Sequence, residues 1–298
     1  MGRVIAVANQ KGGVGKTTTA INLASSFAAA EVKTLLIDCD PQANATSGLG
    51  FAKDPERLST YHLLMGEAKA DEALKETELR HLTIVPGHKN LIGANLELVD
   101  ADRREFRLRD AIEPIQERFE FIVLDCPPAL DLLTLNSLTA ATSVLIPMQA
   151  EYFALEGVSE LLDTIERIRA SLNPDLAIEG VVLTMFDDRT NLAQQVTEEL
   201  RKYFGDKLCK TTIPRNVRLA EAPSHGKPVL LYDVRSKGAE SYIELATEIL
   251  SHYLPATKED APTDAPETSE QEKQVVNAPR WKRWKERNKL ITINIADR

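Results

Sequence analysis

Lys11-Gly-Gly-Val-Gly-Lys-Thr-Thr18 puts two lysines, three glycines and two hydroxyls in one short run. Glycines let a backbone curl until several N–H groups point at one anion, and a helix starting there adds its positive end. Lys16 supplies a point charge for the outer phosphates of a nucleoside triphosphate, and the Thr17 hydroxyl is placed to bind Mg²⁺. Backbone donors would come from Gly12, Gly13, Val14, Gly15, Lys16, Thr17 and Thr18. The general phosphate-loop pattern wants glycine at position 10; this chain has Gln10 there and an extra lysine, Lys11, at the head of the loop.

Carboxylates stand where such a loop needs them. Val32 to Ile37 reads as an apolar strand ending in Asp38-Cys-Asp40, and Phe119 to Asp125 as another that Pro127 and Pro128 stop abruptly. Ligands bind at the carboxyl ends of parallel strands in open α/β sheets. With one residue between them, Asp38 and Asp40 would face the same way in extended chain. An apolar strand closing on aspartate is commonplace alone; downstream of a phosphate loop it marks Asp125 as the Mg²⁺ carboxylate. Asp38 is a further candidate for that metal site beside Thr17 and Asp125.

These groups need a sheet to position them. Arg3 to Ala8 is too short an apolar run for a helix and reads as the strand feeding the loop, with a helix following through Ala30. Further strands are expected at Leu82–Val85, Ser143–Met148, Ile178–Met185 and Leu208–Ile213. Helices are expected at Ser59–Met65, Glu105–Arg118, Leu155–Leu172, Ala193–Phe204 and Ser241–Tyr253. Strands alternating with helices predict right-handed crossovers, hence an α/β fold with a mainly parallel sheet covered by helices on both faces.

Lys-Gly-Gly-Val-Gly-Lys-Thr-Thr resembles the deviant phosphate loop of the ParA/MinD family of ATPases, and Asp38-Cys-Asp-Pro-Gln-Ala-Asn-Ala-Thr46 resembles the same family. Pro214-Arg-Asn-Val-Arg-Leu-Ala-Glu-Ala-Pro-Ser-His-Gly226 and Asp187-Asp-Arg-Thr-Asn-Leu192 resemble loops of the small chromosomal ParA proteins of the Soj type. The resemblance spans about residues 1–254 and implies an ATP-hydrolysing, Mg²⁺-dependent switch for chromosome or plasmid partitioning. It implies that Lys11 reaches across a homodimer interface to the partner's nucleotide, so that Lys11, Lys16 and Asp40 are the catalytic set. Asp40 would position the attacking water, Pro214 and Asn216 would lie near the adenine, and Arg189 and Arg218 would grip DNA phosphates. The ATP-bound homodimer would hold double-stranded DNA without sequence preference. A ParB-type centromere-binding protein would trigger hydrolysis, and the protein would be cytoplasmic and associated with the nucleoid.

Composition sets the outer limits. The chain has 298 residues, 43% of them apolar, enough for one large α/β domain or two small ones. No run approaches the ~18 apolar residues of a membrane span, and Met-Gly-Arg moves straight into a strand, so neither a signal peptide nor an N-terminal helix-turn-helix is expected. Three cysteines (Cys39, Cys126 and Cys209) without CxxC spacing indicate neither a disulfide framework nor zinc. An iron–sulfur reductase with the same loop would need paired cysteines bridging a dimer, whereas Cys126 reads as a small buried apolar residue.

The net charge is −9, from 36 basic and 45 acidic residues. Residues 255–279 contribute 2 − 6 = −4 and residues 280–298 contribute 7 − 2 = +5, leaving about −10 for 1–254. DNA binding by that core therefore needs a local patch. Four prolines and many acidic residues predict a disordered linker at 255–279. The basic tail at 280–298 holds both tryptophans, Trp281 and Trp284, and suits an anionic membrane or DNA alike. A disordered basic end, or a strand-like Leu290–Ile295 docking on another chain, is the further alternative. A MinD-like membrane-cycling ATPase using this tail is the alternative reading; the membrane is not the expected partner, because Ile-Thr-Ile-Asn-Ile disfavours a long helix.

Overall fold

The computed structural model describes residues 2–253 apart from Lys53, Tyr152 and Phe153. The linker and tail expected at 255–279 and 280–298 lie outside the described residues. The strands are β1 (Arg3–Val7), β2 (Thr34–Asp38), β3 (Lys75–Glu76), β4 (Leu82–Val85), β5 (Phe121–Asp125), β6 (Ser143–Met148), β7 (Ala177–Phe186) and β8 (Leu208–Pro214). Among the described residues they form one sheet in the order β3-β4-β2-β5-β1-β6-β7-β8. Every pairing is parallel except β3 with β4.

Both faces of this sheet are covered, which explains why its strands read as unbroken apolar runs. Val4 and Ala6 point into one core layer with Leu35, Ile37, Leu138 and Leu161. Ile5 and Val7 point into the other with Phe27, Leu36 and Tyr242. The helices that supply these layers are α1 (Lys16–Ala29), α2 (Asn44–Gly48), α3 (Thr60–Met65), α4 (Ala70–Ala73), α5 (Leu91–Glu97) and α6 (Arg107–Ile112). They continue with α7 (Leu132–Ala140), α8 (Ala154–Ser171), α9 (Asn191–Phe204), α10 (Val217–Glu221), α11 (Val229–Tyr232) and α12 (Lys237–Ser251). The phosphate-loop helix α1 is pinned to the sheet by Phe27, whose ring stacks on Phe121 of β5 at 4.6 Å. Truncating a buried phenylalanine of this kind costs about 3–5 kcal/mol.

The expected parallel α/β sheet is the one observed, with differences in detail. The helix expected over Glu105–Arg118 is broken into a 3-10 turn (Arg104–Phe106), α6, and a second 3-10 segment (Glu113–Arg118). Pro114 sits at the head of that second segment and cannot donate to the preceding turn. The last helix begins at Lys237, not Ser241, because the Ser236 hydroxyl accepts from the Ala239 amide at 3.2 Å and caps it there. The antiparallel edge β3 and the short helices α2, α5 and α7 carry too little periodicity to be read from the sequence. No described helix is long and apolar enough to cross a membrane.

Candidate functional site

The register of the central strands assembles the site. Asp125 closes β5 between Val7 of β1 and Asp38 of β2, its in-register neighbours on either side. The loop 8–15 leaves the same end of β1 and turns into α1. Gly13 and Gly15 hold φ of 75° and 85°, the left-handed region that a side chain resists. Gly12 has no such φ, but nothing lies within 4 Å of where a Cβ would stand on Gly12 or Gly13. The mouth of the loop is therefore an open cradle lined by backbone.

Side chains from the loop itself, from the start of α1 and from β7 fix that cradle. The Asn9 carboxamide donates to Pro147 O at 2.8 Å, while its Oδ1 accepts from the Lys11 amide at 3.0 Å. Thr184 of β7 donates its hydroxyl to Val14 O at 2.8 Å. Lys16 is 7% exposed and its Nζ donates to Lys11 O at 3.0 Å, bracing the loop from inside. Burial lowers the Lys16 pKa, with Asp125, Cys126 and Asp40 opposing that shift. Lys11 points the other way: half-exposed, it pairs with Glu151, the residue that follows β6 after Gln149 and Ala150.

The three aspartates have different surroundings. Asp38 is fully buried; its Oδ2 accepts from the Thr46 amide at 2.8 Å and the Thr46 hydroxyl at 2.6 Å, and its Oδ1 from the Asp40 amide at 3.2 Å. Gly87 is backed so closely against this carboxyl that a Cβ there would stand 2.7 Å from Asp38 Cγ. Burial raises the Asp38 pKa to about 6 despite these donors. These bonds tie Asp38 to the loop leading to α2, so both of its carboxylate oxygens already have protein donors. Asp40 is 7% exposed and its Oδ1 accepts from the Gln42 amide at 2.8 Å.

Asp125 is the exception. It is 0% exposed, yet neither carboxylate oxygen closes a hydrogen bond of ordinary geometry. Burial and then the Asp38 charge raise its pKa well above the carboxylate range, while the Thr17 hydroxyl and Lys16 facing it act in the opposite sense. A buried carboxylate with both oxygens orphaned calls for a cation or a proton. Among the described residues no cluster of three or more His, Cys, Asp or Glu side chains could hold a metal alone. One carboxylate and one hydroxyl beside a phosphate cradle nevertheless fit Mg²⁺, which keeps waters and shares its shell with substrate phosphates. Cys39 and Cys126, directly after the aspartates, are buried thiols, and burial pushes Cys126 up to about 12. They are core residues with no exposed face to offer a cluster.

The remaining candidates gather at the other end of the same sheet edge. Phe186 of β7 and Pro214 of β8 are paired in register, so Arg189 and Arg218 leave adjacent strand ends. Arg189 is held by Asp187 through two bonds at 2.8 and 2.6 Å. Arg218 is held by Glu221 at 2.9 Å and Asp233 at 3.2 Å. The Arg189 guanidinium drops the Asp187 pKa to about 2, and Arg215, which the sequence reading did not single out, adds to that field. Pro214 and Asn216 are both half-buried here, and Asn216 Oδ1 caps α10 by accepting from the Arg218 amide at 2.9 Å. Thr46 and Thr184 were not legible as site residues, since a lone threonine in or after a strand has no spacing signal.

The family described as AAA domain matches residues 2–178. The chain is 55% identical over 255 residues to the chromosome partitioning protein ParA of Myxococcus xanthus, covering 86% of this chain and 90% of that one. It is 53% identical over 252 residues to the sporulation initiation inhibitor protein Soj of Bacillus subtilis, covering 85% of this chain and all of that one. Among solved structures, cobyrinic acid a,c-diamide synthase from Mycobacterium smegmatis with bound ADP and magnesium superposes with a TM-score of 0.75 at 34% identity. That match covers 89% of this chain and 100% of the other. With a deviant phosphate loop built on a parallel sheet and relatives this similar over nearly their whole length, the chain belongs to the ParA/Soj family of chromosome partitioning proteins.

Proposed function

We propose that the protein is an ATP-hydrolysing dimeric switch for chromosome or plasmid partitioning. The observation that carries the chemistry is the open glycine cradle beside Asp125, whose two buried oxygens have no partner. Lys16 and the amides of residues 12–18 hold the phosphates of ATP, and Thr17 and Asp125 hold Mg²⁺. Bound there, the cation neutralises charge on the phosphates. Asp40, with Oδ1 tied to the Gln42 amide, orients the attacking water. Lys11 exchanges Glu151 for the nucleotide held by a second copy, so turnover depends on dimerisation. Phosphoryl transfer asks the protein mainly for positioning and charge, and a site completed only in the dimer turns over slowly alone.

Pro214 and Asn216 border the adenine, and Arg189 and Arg218 meet DNA phosphates without reading sequence. Dimerisation doubles that basic corner and raises its avidity, which a core carrying about −10 needs. A ParB-type partner stimulates hydrolysis and resets the switch on the nucleoid. The test is DNA retardation in Mg-ATP, in Mg-ADP and without nucleotide, alongside Asp40→Ala to hold the ATP state. Binding confined to ATP, stronger in Asp40→Ala and indifferent to sequence, is the expected result. Equal DNA binding in all three conditions would overturn the switch.

A further inference from the structure

Helix α5 exposes an apolar stripe that the nucleotide site does not use. Ile92 and Leu96, 63% and 78% exposed, lie one turn apart on its outer face, and Val99, 49% exposed, follows in the turn after the helix. Leu91, Ala94 and Leu98 on the opposite face are buried in the core, so the helix is anchored and its outer face is the open one. Exposed Glu97, Asp100 and Asp102 lie beside the stripe; Arg103 and Arg104, which follow, pair with Asp110 and Glu105, and Arg104 Nη1 also donates to Val99 O at 2.7 Å.

We infer that this stripe is the docking surface for the chain's own Trp-containing segment, residues 280–289, with Trp281 and Trp284 covering Ile92, Leu96 and Val99. Three arguments select this occupant. The first is charge: the segment 280–298 is +5, and exposed Asp100 and Asp102 stand beside the stripe while the neighbouring Arg103 and Arg104 already hold carboxylates. The second is size. Three side chains bury far less than the ~1,200 Å² that free partners need, whereas a tethered ligand works at an effective concentration on the order of millimolar. The third is reach. Tyr253 ends the described chain, and the 27 residues from there to Arg280 span up to ~90 Å when extended. A domain of this length has a radius of gyration of about 18 Å, so every part of its surface is accessible to the segment. Tryptophan is also the side chain that gains most from a small apolar patch with a wet rim.

Docking here has a consequence for the site. Asn95, on the same helix, donates to Asp131 Oδ2 at 2.8 Å, and Asp131 Oδ1 caps α7 through the Leu133 and Thr134 amides. The occupant thus sits one hydrogen bond from the loop that follows Asp125. It also withholds the basic segment from any anionic partner while it is docked.

Both tryptophans of the protein lie in this segment, so intrinsic tryptophan fluorescence reports on it alone. The full-length protein should show blue-shifted emission and an acrylamide quenching slope several-fold lower than a synthetic 280–298 peptide, independent of protein concentration. Leu96→Asp and, separately, Ile92→Asp should each raise the slope to that of the peptide while circular dichroism and thermal unfolding stay unchanged, since both positions are exposed. Asp100→Lys with Asp102→Lys should raise it partly. A full-length slope equal to the peptide's, or protection that both apolar variants leave intact, would overturn the proposal. Protection that grows with protein concentration would overturn it in favour of a second copy on the stripe.

Discussion

The two ends of the sheet's carboxyl edge handle charge in opposite ways. At the β1–β5–β2 end the groups are buried and left incomplete: Asp125 has no hydrogen-bond partner and Lys16 leans on its own loop. At the β7–β8 end the groups are exposed and already complete: Arg189 and Arg218 each hold carboxylates of their own surface. An incomplete buried site gains a great deal from a ligand, because the protein has already met the cost of desolvation. A completed exposed site gains little from one contact and relies on many. Substitutions at the two ends should therefore differ sharply in size.

Lys16→Ala should have the largest effect. It removes a buried charge aimed at the cradle, and hydrogen bonds to charged groups are worth about 1.5–3 kcal/mol, so nucleotide affinity should fall roughly 10- to 150-fold by calorimetry. Retained affinity within about twofold would place the phosphates elsewhere.

Thr46→Val comes next and tests whether Asp38 is a clamp. The hydroxyl donates to Asp38 Oδ2 and accepts from the Gly87 amide at 2.8 Å, so its loss leaves the buried Gly87 amide unmet and takes one of two donors from Asp38 Oδ2. The expected cost is roughly 2–4 kcal/mol in chemical denaturation. Thr46→Ser keeps the hydroxyl and should recover most of it.

Asp125→Asn separates stability from function. Asp38 and Asp125 both have folded pKa values raised by burial, so the folded state binds more protons than the unfolded chain. Their contribution to stability is present at acid pH and, for Asp38, is lost as pH rises from about 4 toward about 6. Asp125 continues that loss at higher pH. At pH 8 and without ligand, Asp125→Asn should therefore raise Tm by ~3–6 °C. The same variant should lose the extra Mg²⁺-dependent rise in Tm with nucleotide. A variant less stable than its parent in ligand-free buffer would show that the carboxylate is satisfied after all.

The smallest effect belongs to the exposed end. Asp187→Asn frees Arg189 from its bidentate partner and should strengthen DNA binding by no more than about threefold, since exposed ion pairs contribute little. Arg189→Ala should weaken binding and flatten the salt dependence by about one phosphate contact. If Asp187→Asn weakened binding instead, the pair itself would be the DNA-facing element.

The nucleotide loop was legible because its chemistry is local. Glycines, Lys16 and Thr17 follow one another in the chain, and φ of 75° and 85° at Gly13 and Gly15 is what those glycines permit. The apolar runs that became β1, β2, β5 and β6 were legible because strands covered on both faces leave no polar alternation to confuse them. Helix boundaries followed where a cap or a proline announced them and drifted elsewhere, as at Ser236 and Pro114.

What the chain could not announce is which distant residues become neighbours. Asp38 and Asp125 are 87 positions apart and face each other only because β2 and β5 pair in register. That pairing sets the two carboxyls side by side, with Thr46 donating to Asp38 and no bond of ordinary geometry closing on Asp125. The grip of Thr184 on Val14 and the shared corner of Arg189 and Arg218 likewise arise from strand order alone. Residue types and spacing determined the chemistry this protein can offer, because covalent sequence sets which groups are near along the backbone. The tertiary structure decided which of those groups are buried, paired or left open, because desolvation and hydrogen bonding depend on neighbours that only folding brings together.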